Sequence, residues 1–142
     1  MRLNPYLEFD GNCAEAFAFY ARVLGQPTPE MMRFGDAPGS EQLPPGSGDR
    51  VMHVTLMIGE QMLMGSDTMP GQPFDGVRGM SVALHPDDVA TADRLFRDLS
   101  DGGQVTMPID RTFWAERFGM LVDRFGVPWM INCQGDAQLP GC

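Results

Sequence analysis

Apolar and polar positions change period several times along the chain, and each change marks an element. Residues 2–9, Arg-Leu-Asn-Pro-Tyr-Leu-Glu-Phe, read as a first strand that turns at Asp10-Gly11-Asn12 into a helix. Asn12 suits the N-cap, and Glu15 three residues later completes a capping-box pattern. Cys13, Ala16, Phe17, Tyr20, Val23 and Leu24 then recur at helical spacing, and Gly25 with Pro27 ends the run. A short strand is expected around 29–34, followed by a surface loop over the Gly-, Pro- and Ser-rich residues 35–49. Residues 51–66 read as a strand, a turn at Gly59 and a second strand, and the prolines and glycines of 67–77 read as a linker. Arg78 to Leu84 alternates into a strand, and Asp87 can cap a helix whose Val89, Ala92, Phe96 and Leu99 share a face. Asp101-Gly102-Gly103 stops that helix. Gln104 to Asp110 is the next strand. Residues 111–132 follow as an aromatic loop, a strand, an Asp-Arg-Phe-Gly turn and a last strand. Gln134 to Cys142 has turn composition and is expected to fray.

The two hairpins are the key to the layout. Gly59 stands in the first where Gly126 stands in the second, so the chain reads as one unit used twice. Each unit runs strand, helix, strand, strand, strand. The predicted fold is α+β: two βαβββ modules forming curved mixed sheets around a cavity, with the helices on the outer face. Module one covers 1–66, the linker 67–77, module two 78–133 and a tail 134–142, all within a single domain of 142 residues.

Composition narrows the chemistry. A net charge of −9 with scattered basic residues offers nucleic-acid phosphates no electropositive face. No apolar run approaches the roughly 20 residues of a membrane span, and the first residues lack a signal peptide's apolar centre, so a cytoplasmic protein is expected. Three cysteines, Cys13, Cys133 and Cys142, without a Cys-x-x-Cys pair, suggest neither a disulfide framework nor a zinc site. Twelve methionines are many for this length, and several fall in strands; Met62, Met64, Met80, Met107, Met120 and Met130 divide between a soft concave lining and core filling.

Among single residues, His53 lies inside a strand and is a candidate general base or ligand partner, with a structural histidine as the plainer reading. His85, before Pro86, reads as exposed turn chemistry. Phe113 and Trp114 precede the second hairpin and suit a flat ligand, or equally the packing of a helix or second subunit. Glu116 and Arg117 could orient a polar ligand, with an exposed ion pair as the commoner fate of such neighbours, and Ser66-Asp67 reads as a turn with no nucleophile elbow around the serine. Asp10, Asp49, Asp75 and Asp87 fall where turns and caps want aspartate, while Glu8 and Glu60 would reach a cavity only through a bulge.

Phe19-Tyr20 and Val23-Leu24-Gly25 in the first helix, with Asp123-Arg-Phe-Gly126 before the last strand, resemble the glyoxalase and bleomycin-resistance group, the vicinal oxygen chelate superfamily. Pro-Tyr-Leu-Glu-Phe-Asp-Gly-Asn-Cys, Val-Met-His-Val, Leu-Met-Gly-Ser-Asp and Thr-Phe-Trp-Ala-Glu-Arg-Phe-Gly look like the PhnB-like family within it, a family often labelled demethylubiquinone methyltransferase-like. The resemblance implies a divalent metal held by one side chain from the first and one from the last strand of each unit. Aligned by the helix starts and by Gly59 and Gly126, those positions fall on Pro5, Leu63, Met80 and Met130, none of which binds such a cation. A shift of one residue, to Asn4 or Tyr6, Met62 or Met64, Gly79 or Ser81, and Trp129 or Ile131, assembles no set either. No metal and no cofactor are therefore expected, and no Gly-x-Gly-x-x-Gly supports a nucleoside cofactor for methyl transfer. The resulting expectation is a homodimer binding a small, largely apolar organic molecule through His53, Met64, Met80, Phe113, Trp114 and Met130. The alternatives are an enzyme on a small carbonyl or aromatic substrate with His53 as general base, and a scaffold whose cavity is filled by its own side chains.

Overall fold

A computed structural model of the chain describes residues 1–135, and within them the chain forms two compact units, Met1–Gly76 and from Val77 onward. In the first, β1 (Tyr6–Phe9) leads into α1 (Cys13–Val23), followed by β2 (Met31–Arg33), β3 (Val51–Ile58) and β4 (Gln61–Asp67). The sheet order is β1-β4-β3-β2, with β1 parallel to β4 and the other neighbours antiparallel. The second unit repeats this with β5 (Val82–Leu84), α2 (Val89–Ser100), β6 (Gln104–Asp110), β7 (Arg117–Val122) and β8 (Pro128–Cys133), in the order β5-β8-β7-β6. The fold is thus α+β with two four-stranded mixed sheets, neither closed into a barrel.

Each helix covers one face of its own sheet, and strand alternation decides which residues lie beneath it. Leu7, Phe9, Val54, Leu56 and Leu63 are buried with Phe17 and Tyr20 of α1 in the first unit, and Leu121, Trp129 and Ile131 with Leu95, Phe96 and Leu99 of α2 in the second. The close approach depends on a strand glycine in both. A Cβ on Gly65 would stand 2.6 Å from the Phe17 ring, and one on Gly119 would stand 2.6 Å from the ring of Phe96. The aromatic rings therefore rest where any other residue would put a methyl group.

Several local readings change. The first strand begins at Tyr6 and the fifth at Val82, later than residues 2 and 78. Asn12 occupies the N-cap of α1 without a side-chain hydrogen bond; instead the Asp67 carboxylate, 4% exposed, accepts from Gly11 N at 2.8 Å and Cys13 N at 3.0 Å through Oδ1 and from Val51 N at 2.9 Å through Oδ2. Ser66 and Asp67 are accordingly strand residues, and the segment read as a linker is still tied in at Thr68, whose N–H donates to the Phe9 carbonyl. The cap of α2 is Asp88, not Asp87: its side chain accepts from Thr91 N at 2.7 Å. Gly25, at φ +69°, does end α1, with Gln26 N returning to the Ala21 carbonyl as in a Schellman turn.

The hairpins also differ in length. Ile58 pairs with Gln61 across a two-residue turn, whereas Val122 pairs with Pro128 across residues 123–127. Aligning Gly59 with Gly126 consequently slips the register, and one residue of slip exchanges the faces. Leu63 is buried on the helix side while Met130 lies on the opposite side of its sheet, between the buried Trp129 and Ile131.

Candidate ligand-binding face

The candidate site begins at an irregularity in β3. Met32 of β2 pairs with His53, yet the next residue, Arg33, pairs with Val51, so Met52 is the extra residue of a bulge. Bulges re-aim side chains, and here His53 lands on the sheet face turned away from α1, half-buried, on the same side as Thr55. The ring is held at both nitrogens. Thr55 Oγ1 lies 3.0 Å from Nε2, and the Tyr6 hydroxyl lies 3.4 Å from Nδ1. Tyr6 reaches it from β1 across the intervening β4, where Met64 pairs with both Tyr6 and Thr55, and the two rings sit with centroids 5.8 Å apart.

Beside this group runs an open cleft of about 650 Å³. Its walls are residues 26–32, where the chain leaves α1 through Pro27 and Pro29 and joins β2, and residues 53–57 of β3, with Met31, Met32, His53, Thr55 and Met57 among them. It exists because β2 pairs with β3 only as far as Met31, so the edge of β3 beyond Val54 has no neighbour in the sheet. Thioethers and aliphatic side chains make most of this surface apolar, and the polar groups on it are the His53 imidazole, the hydroxyls of Thr28 and Thr55, the Gln26 amide and the Glu30 carboxylate, a mixture usual for small-molecule sites.

The other candidates are placed as follows. Met64 shares the face of His53. Met80 lies before β5 and outside any strand, half exposed. Phe113 is 88% exposed, its ring against Trp114 at 4.8 Å, and Trp114 in turn packs edge-on to Phe118 at 5.2 Å. Met130 faces away from α2, paired with Met120 and Ala83. His53 and Met64 are thus brought together in the first unit, and Met80, Phe113, Trp114 and Met130 belong to the second. Arg117 forms its ion pair with Asp93, at 3.1 Å, and donates to the Glu116 carbonyl, so the pairing read between sequence neighbours is replaced by one to α2. His85 is exposed as read, 3.4 Å from the Asn132 amide.

Sequence reasoning missed Tyr6 and Thr55 as partners of His53. Thr55 was available from period-two alternation; Tyr6 was not, because its reach depends on the strand order β1-β4-β3. Among the described residues no three His, Cys, Asp or Glu side chains come together as a metal-binding group. Cys13 is buried, and burial first and the Asp67 carboxylate second push its thiol up to about 12, which leaves it without nucleophilic thiolate at neutral pH. Cys133 is buried and raised as well, again chiefly by burial; Cys142 lies outside the described residues.

Residues 1–132 match the family model described as 3-demethylubiquinone-9 3-methyltransferase. The chain belongs to this family. Protein YjdN of Escherichia coli (strain K12) is 37% identical over 140 residues, covering 93% of this chain and 95% of YjdN. Among solved structures, protein PA1353 from Pseudomonas aeruginosa is 47% identical with a TM-score of 0.87, covering 96% of this chain and 99% of that one. The PhnB protein from Bacillus cereus is 25% identical with a TM-score of 0.74, covering 94% and 99%. The PhnB-like resemblance in the sequence is therefore the family of the chain, and the doubled unit is the family's fold.

Proposed function

We propose that this PhnB-like protein is a glyoxalase/bleomycin-resistance type member of the vicinal oxygen chelate superfamily that binds a small, largely apolar organic molecule without a metal and without making or breaking a bond. The observation that carries the reading is His53, set by a bulge between the hydroxyls of Tyr6 and Thr55 at the edge of the methionine-bearing cleft. Thioether side chains adapt to flat or irregular apolar shapes, and a histidine ring held at both nitrogens presents a fixed flat face to a ligand at little ordering cost. Met64, one row away on the same face, extends the apolar surface.

Methyl transfer, the activity in the family's name, is not part of this proposal. A nucleoside cofactor's phosphates or carboxylate would commonly meet backbone N–H groups where a strand turns into a helix. At the β1–α1 turn the N–H groups of Gly11 and Cys13 already donate to Asp67, and at the start of α2 that of Thr91 donates to Asp88. The same reading makes the protein a homodimer. Apolar side chains left exposed, Met32, Met57 and Val105 among them, are area a second copy would cover.

The test is thermal unfolding of the dialysed protein against a panel of neutral aromatic and acyl compounds. Binding raises Tm progressively as ligand passes its Kd, by about 2.7 kcal/mol of stabilisation at a hundredfold excess. The shift is lost in His53→Ala while the ligand-free melt stays close to wild type. Stoichiometric Zn, Ni, Mn or Fe retained through dialysis would overturn the reading. Turnover of a panel compound with a near-neutral inflection in its pH profile, abolished in His53→Ala, would replace it with the enzyme reading. A monomer by sedimentation at micromolar concentration would remove the dimer.

A further inference from the structure

The face of the second sheet turned away from α2 carries three methionines in one line. Met107 of β6 pairs with Met120 of β7, and Met120 pairs with Met130 of β8. Directly opposed residues project to the same side of a sheet with Cβ atoms about 4.5–5.5 Å apart, so three thioethers share one row across three strands. The side they share is fixed by their neighbours. Gly119, whose Cβ would collide with Phe96 of α2, and the buried Leu121 flank Met120; the buried Trp129 and Ile131 flank Met130.

Met107 reaches this row only because β6 is bulged. Val105 pairs with Leu121, so an unbroken ladder would set Thr106 against Met120 and send Met107 to the helix side, opposite Gly119. One extra residue in β6 moves Met107 across to its partners, and a second shift before Asp110 sets that aspartate opposite Phe118, which places a carboxylate on the same face. Packing alone does not call for sulfur here, since leucine fills such positions with fewer rotamers to lose. A thioether adds a soft, uncharged donor of the kind that suits Cu(I), whereas Mg and Ca take oxygen ligands and protein Zn sites are built from thiolate, imidazole and carboxylate. A chain of net charge −9 draws cations toward it. Met107 is 42% exposed, and Met120 and Met130 are partly exposed, so the sulfurs are within reach of an incoming ion.

We propose that Met107, Met120 and Met130 form a three-thioether site for Cu(I). The site lies in the second unit and does not rest on the small-molecule reading, which concerns the first.

The experiment uses the full chain carrying Cys142→Ser, so that the terminal thiol does not compete, with methionine methyl groups labelled with ¹³C and assigned by Met→Leu replacement. Ag(I), a redox-inert stand-in, is titrated first, then Cu(I) under anaerobic reducing conditions. The first equivalent of either ion shifts the methyl signals of Met107, Met120 and Met130 together, while Zn(II) leaves them in place. Met120→Leu, which keeps volume and apolarity, leaves the metal-free melt near that of the parent, weakens binding at least about tenfold and removes the shift at the other two residues. Met107→Leu, at the sheet edge, does the same and serves if Met120→Leu fails to fold. Signals that move singly and only at large excess overturn the proposal, as does a first equivalent that goes to other methionines or binding unchanged in both variants.

Discussion

Among the described residues the two units bury one aspartate each, and the two do opposite kinds of work. Asp67, at the end of β4, accepts hydrogen bonds from Gly11, Cys13 and Val51, residues 56, 54 and 16 positions away. It joins the β1–α1 turn to the start of β3 and so closes the unit. Beside it, Arg50 spans Asp10 at 2.8 Å and the Thr68 carbonyl at 2.6 Å, a second tie across the same junction. Asp123, 3% exposed, accepts from Phe125 N, Val127 N and Trp129 Nε1, all within six residues. It shapes one hairpin turn and anchors one indole. A carboxylate accepting several N–H groups is strong in both places; what differs is how much chain would have to open to relieve its loss.

The largest loss is expected for Asp67→Ala. It strands three backbone donors, two of them buried, that belong to two separate segments, the β1–α1 turn and the start of β3, and should cost about 3–5 kcal/mol in denaturant-derived stability. Asp123→Ala should cost less, about 2–3 kcal/mol, because a surface turn can rearrange toward water. In a Trp114→Phe background the emission of Trp129 then reports the indole losing its partner by shifting to the red. Equal losses in the two variants would mean that sequence distance between partners is irrelevant to the energetics.

The smallest effect belongs to the exposed cap Asp88. Its carboxyl is held below the ordinary 3.8, first by the Thr91 backbone N–H and then by the Thr91 hydroxyl. A depressed folded value means that the cap's charge-dependent contribution is complete above the unfolded value and disappears as pH falls through the folded one. Asp88→Ala therefore lowers Tm slightly near neutral pH, and the gap to wild type narrows as pH falls below the ordinary carboxylate range. A gap that stays constant with pH would show that the ionised carboxylate is not its source.

Sequence patterning served best where the partners are close along the chain. Cys13, Ala16, Phe17, Tyr20, Val23 and Leu24 were one helix face on spacing alone; the first five are buried, while Leu24 is the half-buried C-cap just past the last helical residue. Both hairpins, the 104–110 strand and the turn at Gly25 were likewise legible. The misreadings came from parity. A two-residue turn and a five-residue one carry the same glycine signal, so Gly59 and Gly126 aligned Leu63 with Met130 although one faces its helix and the other faces away. The candidate site was half visible. His53 stood out as a histidine in a strand, but a bulge decided its face, and the strand order β1-β4-β3 brought Tyr6 to its ring.

Local chemistry in the chain determined that there would be two strand–helix–three-strand units, where each helix would stop, and which side chains were apolar enough to be buried. Tertiary structure alone decided which face each strand residue took once bulges at Met52 and Thr106 had shifted the count, which buried carboxylate replaced the Asn12 cap, and which methionines stood in a row. The reason is physical. Helical periodicity is set within a few residues by backbone geometry, whereas the pairing register of a sheet is a relation between segments tens of residues apart, and one inserted residue reverses it.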